Sequence, residues 1–308
     1  MTLPNFLIVG AAKSGTTALA QLVGEHPDVF MAPVNDTCFF LFEGQPPTFG
    51  PRDEGQRRRV ITDRRTYEAL FDNAGDAKAV GEKSVWYLPR PDKFADIKRQ
   101  LGDPRMIAIL RDPAERAFSA YSHLVRDGRE TEPTLSAGMA REDERRELGW
   151  EYLWQYRRLG MYASQVEALF EVFGRDRVLL LLHHDLRAEA GAVVASAYRF
   201  LGVDARFVPR LSARPNVSGR PRSKRLHSFV VNSGRLRRTL TPLLPLGLRQ
   251  QIFRWNLRTI EFPAEERVAL TAYYEQDVRR LAALTGLDLS RWLPDARSNK
   301  AATPSASA

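Results

Sequence analysis

One cysteine, Cys38, stands in 308 residues, so an internal disulfide framework is excluded and nothing in the sequence calls for an oxidising compartment. No apolar run approaches the about 20 residues of a bilayer-spanning helix. The N-terminal MTLPNFLIVG lacks the basic stretch and following apolar segment of a secretory signal. These absences lead to the expectation of a cytoplasmic chain without stable membrane insertion. Metal ligands are scarce too: the chain has five His, and no Cys or carboxylate stands at ligand spacing from His183-His184, which are read as structural with no metal site. Cys38 lacks the base and orienting group of a thiol nucleophile and is read as a small buried residue. Recognised nucleic-acid modules are missing, so the formal charge of +9 and pI near 9.9 are assigned to an anionic cofactor or surface rather than to nucleic acid. Internal repeats and a coiled-coil seam are also lacking, and the oligomeric state stays open.

What the sequence has is enough apolar residue, 44%, to bury a substantial core, and the length suits one large domain over 1–296. The tail 297–308, rich in Ala, Ser and Pro, is expected to be disordered. Three apolar strands, Phe6 to Val9, Met106 to Leu110 and Arg177 to Leu182, are each followed by a helical pattern: Thr16 to Glu25, a helix starting near Ala114 behind Pro113, and Leu186 to Leu201. Alternating strands and helices predict an α/β fold, a single-domain three-layer sandwich with a central parallel sheet. Further helices are predicted at Pro91 to Leu101, Leu159 to Phe173 and Ala264 to Leu284, an exposed one within Thr131 to Leu148, and a surface loop over Gly44 to Gly55.

The first strand runs into "FLIVGAAKSGTT", a P-loop-like strand-loop-helix whose lysine is displaced. Nucleotide triphosphatases place Lys directly after the second Gly, whereas here Lys13 precedes Gly15 and Thr16 takes the lysine position. Ala12 and Gly15 let the backbone approach an anion, and Lys13, Ser14, Thr16 and Thr17 add a cation and hydroxyls at a helix N-terminus. The loop alone does not name the anion. Arg111 ends the Met106 strand and Ser119 lies in the second turn of the next helix, so the two can converge on one phosphate. A surface pairing of Arg111 with Asp112 or Glu115 is the competing reading.

Together "AAKSGTTAL", "GEKSVWYL", "RDPAERAFSAYSH" and "GMYASQVEALFEVFGRDRVLLL" followed by "FLGV" resemble the PAPS-dependent sulfotransferases, in order from Phe6 to Trp292. The nearest likeness is to bacterial carbohydrate- and natural-product-type enzymes related to the heparan sulfate sulfotransferase domain. The resemblance implies that the first loop holds the 5′-phosphosulfate of 3′-phosphoadenosine 5′-phosphosulfate (PAPS), that Arg111 and Ser119 hold its 3′-phosphate, and that 3′-phosphoadenosine 5′-phosphate (PAP) is the product, with no metal. It implies a catalytic role for Lys13 at the bridging oxygen. Arg222 and Lys224 fall where the family places a late flexible loop over the donor.

Many relatives carry a Lys-Glu pair before two Phe, with Glu as the base that takes the acceptor proton. Here the segment is "VNDTCFF", so Asn35 and Asp36 take those positions, and Asp36 reaches less far by one methylene. Lys83 matches the family's E-K-[ST] segment and is expected at the sulfuryl group or acceptor. His123 is placed near the cleft, Trp86 and Tyr87 either at a pocket or in the core, and Trp150, Tyr152, Trp154 and Tyr156 are offered as stacking faces for an acceptor. The implied reaction is in-line transfer from PAPS to a hydroxyl, or less readily an amine, of a glycan, glycolipid or secondary metabolite, with a small molecule or glycan as partner. Alternatives are a P-loop kinase or NTPase and a catalytically silent PAPS-binding protein.

Overall fold

The computed structural model describes residues 2–45, 49–210, 220–221, 257–258 and 261–294. In chain order the elements are β1 (Phe6–Gly10), α1 (Thr16–Val23), β2 (Val29–Met31), α2 (Phe39–Phe42), α3 (Glu54–Arg57), α4 (Arg64–Glu68), β3 (Ala79–Lys83), α5 (Phe94–Leu101) and β4 (Arg105–Leu110). There follow α6 (Pro113–Arg126), α7 (Leu135–Ala140), α8 (Glu142–Glu147), α9 (Tyr162–Phe173), β5 (Val178–Leu182), α10 (His183–Ala188), α11 (Ala190–Leu201) and a long helix at Ala264–Thr285. A short antiparallel pairing joins Arg220–Pro221 to Leu257–Arg258.

Every residue of β1 is buried, because both faces of the sheet are covered. Phe6 and Ile8 pack with α1 and α11, while Leu7 and Val9 point to the layer built by α5, α6, α9 and the long helix. The same alternation sends Ile107 and Ile109 of β4 one way and Met106, Ala108 and Leu110 the other. The result is the predicted three-layer α/β architecture around a five-stranded sheet, ordered β2-β3-β1-β4-β5 and parallel throughout. α6 starts where the sequence says: Pro113 is its first residue, and the Asp112 carboxylate accepts from the amides of Ala114 (3.0 Å) and Glu115 (3.2 Å).

The structure adds two strands. β2 spans three residues, too few for a pattern, and β3 reads Ala-Val-Gly-Glu-Lys, whose charged end hides a fully buried strand. Three helix readings are corrected. The stretch from Leu186 divides at Glu189 and begins earlier, at His183; Thr131 to Leu148 divides at Arg141; and Pro91 to Lys93 form a tighter 3₁₀ turn before α5. Gly44 to Gly55 is no simple surface loop, since Phe49 and Asp53 are buried and α3 begins at Glu54. Arg222, Lys224 and the tail 297–308 lie outside the described residues. Among the described residues no helix is long and apolar enough to cross a membrane.

Candidate active site

The sheet order fixes where a ligand can sit. From β1 the chain leaves towards β2 and β3, whereas from β4 it leaves towards β5, so a crevice opens between the carboxyl ends of β1 and β4. The loop Ala11 to Gly15 and Arg111 flank that crevice, and both line a cleft of about 1060 Å³. Arg111 donates to the Lys13 carbonyl at 3.2 Å, tying the two strand ends together. Its contact with Glu115 is long, 3.5 Å, and Glu115 pairs more closely with Arg267 at 2.7 Å. The competing surface pairing is therefore weak, and Arg111 and Ser119 face the cleft together.

The loop is shaped for an anion. Gly15 has φ +91°, a left-handed conformation that favours glycine, and a Cβ there would stand 3.1 Å from the His183 ring. No side chain caps α1 and no acidic residue sits in its first turn, so its N-terminal amides are left for a ligand at the cleft wall formed by Thr16, Thr17 and Ala18. Lys13 is also held at positive φ, +68°, and among the described residues its ammonium has no ion-pair partner. Burial brings its pKa down to about 8, with Arg126 pushing the same way and Asp127 partly opposing. Ser14 differs from its expected place: it is wholly buried, its amide bonds back to the Ala11 carbonyl at 3.2 Å, and its side chain does not line the cleft.

A second group of residues enters from β2 and β3. Asp36, at φ +59°, receives the Lys83 ammonium at 2.8 Å on Oδ2 and the Val85 amide at 3.2 Å on Oδ1, and Asp36 and Lys83 both line the cleft. The turn is anchored from beneath by Glu82, which is completely buried. Its carboxylate accepts from the hydroxyls of Thr37, Tyr67 (3.1 Å), Tyr87 (2.8 Å) and Ser84 (3.3 Å), and burial raises its pKa. Ser84 also accepts from the Cys38 amide at 3.1 Å. Cys38 is buried as expected, and burial pushes its thiol pKa well up. Sequence reasoning missed the Glu82 anchor because a charged residue in a strand reads as surface.

His123 lines the cleft; burial and the nearby Lys13 lower its pKa to about 3, and its Nδ1 lies 2.5 Å from Arg126. His183 also lines the cleft, a correction to its purely structural reading, with its pKa lowered by burial to about 4. Its neighbour His184 pairs instead with Asp185 at 3.1 Å. The four offered stacking faces separate. Trp154 and Tyr156 are fully buried core residues; Trp154 carries the Arg129 guanidinium 4.4 Å over its ring, and the Tyr156 hydroxyl donates to Glu130. Trp150 and Tyr152 are half-buried, but neither lines the cleft. Tyr87 belongs to the core, whereas Trp86 lines the cleft. Among the described residues no group of three or more His, Cys, Asp or Glu is placed to hold a metal ion.

These features define an α/β protein with a loop suited to an anion at the switch point of a parallel sheet, beside a carboxylate and its paired lysine. A sequence model of the sulfotransferase family matches residues 4–207, and the chain belongs to that family. It is 35% identical to a sulfotransferase from Alicyclobacillus acidocaldarius whose solved structure superposes with a TM-score of 0.76, the match covering 95% of this chain and 99% of that one. It is 24% identical over 204 residues to the human (Homo sapiens) heparan sulfate glucosamine 3-O-sulfotransferase 3B1, covering 65% of this chain and 46% of that protein. With the human bifunctional heparan sulfate N-deacetylase/N-sulfotransferase 3 the identity is 27% over 214 residues, covering 65% of this chain and 22% of that protein. The match thus spans less than half the length of these two curated relatives.

Proposed function

We propose that this sulfotransferase moves the sulfuryl group of PAPS to an acceptor hydroxyl, and less readily to an amine. The observation that carries the reading is the half-buried ammonium of Lys13, without an ion-pair partner among the described residues, beside an uncapped helix N-terminus in one cleft with Arg111 and Ser119. A donor with phosphate at both ends of a nucleoside would bring one anion to the loop and one to Arg111 and Ser119. Ala12, Gly15, Thr16 and Thr17 would cradle the 5′ end through backbone and hydroxyl groups, with Ser14 contributing to the loop's packing. Arg111 and Ser119 would take the 3′-phosphate.

PAPS supplies a sulfur atom bonded to a good leaving group. Asp36, oriented by Lys83 and the Val85 amide, accepts the acceptor's proton through a remaining lone pair as the acceptor oxygen bonds to sulfur. The bond from sulfur to the bridging phosphate oxygen breaks, and Lys13 stabilises the charge that develops on that oxygen. The products are the sulfate ester, PAP and one proton, initially held on Asp36. No observation favours the kinase reading now that the family is known.

The test is calorimetric titration of PAP, AMP and ATP without added magnesium, on the wild type and Arg111→Ala. PAP should bind best, and the substitution should weaken it by about 10- to 100-fold, the loss of one charge-assisted phosphate contact, while leaving AMP nearly unchanged. Preference for ATP, or an unaltered PAP affinity in Arg111→Ala, would overturn the donor assignment. Sulfate transfer to any acceptor separates an enzyme from a silent binder.

A further inference from the structure

Among the described residues the basic side chains lining the cleft are Lys13, Arg59, Lys83, Arg111 and Arg187, and its one lining carboxylate, Asp36, is held by Lys83 at 2.8 Å. Lys13 and Arg111 follow β1 and β4. Arg187 comes from a third place, the helix that leaves β5, and the donor reading so far gives it no role.

The sheet decides where Arg187 stands. β4 and β5 run parallel with Leu110 beside Leu182, so Arg111 and His183 leave neighbouring strands side by side. His183 opens α10, and its ring closes on the first loop, where a Cβ on Gly15 would meet it at 3.1 Å. Arg187 follows four residues later, about one helical turn, and so shares the face of His183, while Leu186 is buried in the layer built with α1 and α11. Both His183 and Arg187 line the cleft. Arg187 is exposed and has no ion-pair partner among the described residues, and Asp185 of the same helix turns instead to His184 at 3.1 Å. The charge of Arg187 is felt at this corner: burial first, then the Arg111 and Arg187 guanidiniums, bring the His183 pKa down to about 4. A neutral imidazole therefore shares the corner with two charged guanidiniums.

A phosphate monoester at neutral pH carries about two negative charges on three strong acceptor oxygens. Arg111 and Ser119 leave part of that unmatched. Arg111 spends one N–H on the Lys13 carbonyl at 3.2 Å, its other terminal nitrogen lies 3.5 Å from Glu115, and Ser119 has a single hydroxyl proton to give. A second guanidinium at the end of the next strand brings both the missing charge and the missing donors, and no existing ion pair has to break to release it. We infer that Arg187 takes the donor's 3′-phosphate together with Arg111 and Ser119, approaching from the β5 side while they approach from the β4 side. This rests on the sulfotransferase reading above. Discrimination between PAP and nucleotides without a 3′-phosphate is then shared by two strand ends.

The experiment is calorimetric titration of the full chain with PAP and AMP, on the wild type, Arg187→Gln, Arg187→Lys and Arg59→Gln, with Arg111→Ala in parallel. Arg187→Gln should weaken PAP by about fivefold or more, the loss of an exposed charge-assisted contact, and leave AMP within about twofold. Arg187→Lys keeps the charge without the planar fork and should recover part of the loss. Arg59→Gln removes the same charge from another wall of the cleft and should leave the PAP-to-AMP ratio at its wild-type value. Equal weakening of PAP and AMP in Arg187→Gln would put this side chain at the base or the 5′ end. A matching fall of the ratio in Arg59→Gln would reduce the effect to long-range charge. Either result overturns the proposal, as does a PAP affinity indifferent to Arg187→Gln while Arg111→Ala lowers it. Failure of the donor reading looks different: the wild type then shows no preference for PAP over AMP, or Arg111→Ala keeps its PAP affinity, and this proposal falls with it.

Discussion

Donor affinity should fall as pH rises through about 8, and Lys13 should be the cause. Burial lowers the pKa of this ammonium from its usual value near 10.5 to about 8 in the free protein. A phosphate against it would favour the charged form and raise the pKa again. Below pH 8 the free protein already carries the charge and binding costs no proton uptake; above pH 8 each binding event must first protonate Lys13. With a bound-state pKa above 10, affinity between pH 7.5 and 9.5 should drop roughly 25-fold, about 1.9 kcal/mol. Neighbouring groups do not mimic this: His123 and His183, with pKa values lowered to about 3 and 4, stay neutral throughout, and the Cys38 thiol is pushed well above its ordinary range. Glu151, raised by burial to about 7, is the reason to begin at pH 7.5. Titration of PAP across this range is the assay, with Lys13→Met as the comparison. The substitution should weaken binding and flatten its pH dependence. A flat wild-type profile, or the same slope in Lys13→Met, would refute the argument.

Glu82→Ala should destabilise the protein by about 2–4 kcal/mol, because two phenols and two hydroxyls lose a buried acceptor together; urea unfolding would show it, and Glu82→Gln should cost less. Trp154→Ala should cost about 3–5 kcal/mol in the same assay, as a fully buried ring with Arg129 on its face, yet leave the PAP affinity of the folded protein unchanged. A selective rise in acceptor KM without lost stability would instead return Trp154 to the acceptor site.

The sequence made the Lys13 and Arg111 side of the cleft legible because its signals are local. An apolar run, small residues, a basic residue and a helix start lie side by side in Phe6 to Thr17, and the Arg111 segment repeats that grammar. The placement of the aromatics was not legible for the opposite reason. Whether Trp154 faces a ligand or Arg129 depends on contacts between segments far apart in sequence, and alternating aromatics look the same in either case. Lys83 and Glu82 are adjacent in β3 and point to opposite uses, one towards Asp36 in the cleft and one into a cage of hydroxyls beneath it. The resemblance placed Lys83 at the cleft but gave Glu82 no role of its own; their alternation along the buried strand separates them.

The strut formed by Arg129 and Glu151 has a consequence for redesign. Much of the cleft wall away from Lys13 comes from two of the chain's connections, residues 32–78 between β2 and β3 and residues 127–161 between α6 and α9, while the Lys13 loop and Arg111 follow β1 and β4. Arg129 and Glu151 of the later segment grip Phe49 and Pro51 of the earlier one, and Arg52 reaches back to the Gly128 carbonyl at 2.9 Å. A chimera that exchanges one segment alone would leave the Arg129 guanidinium without the Phe49 and Pro51 carbonyls it holds, and the wall without its brace. The two segments are braced as one unit, and exchanges on this scaffold should move them as a pair.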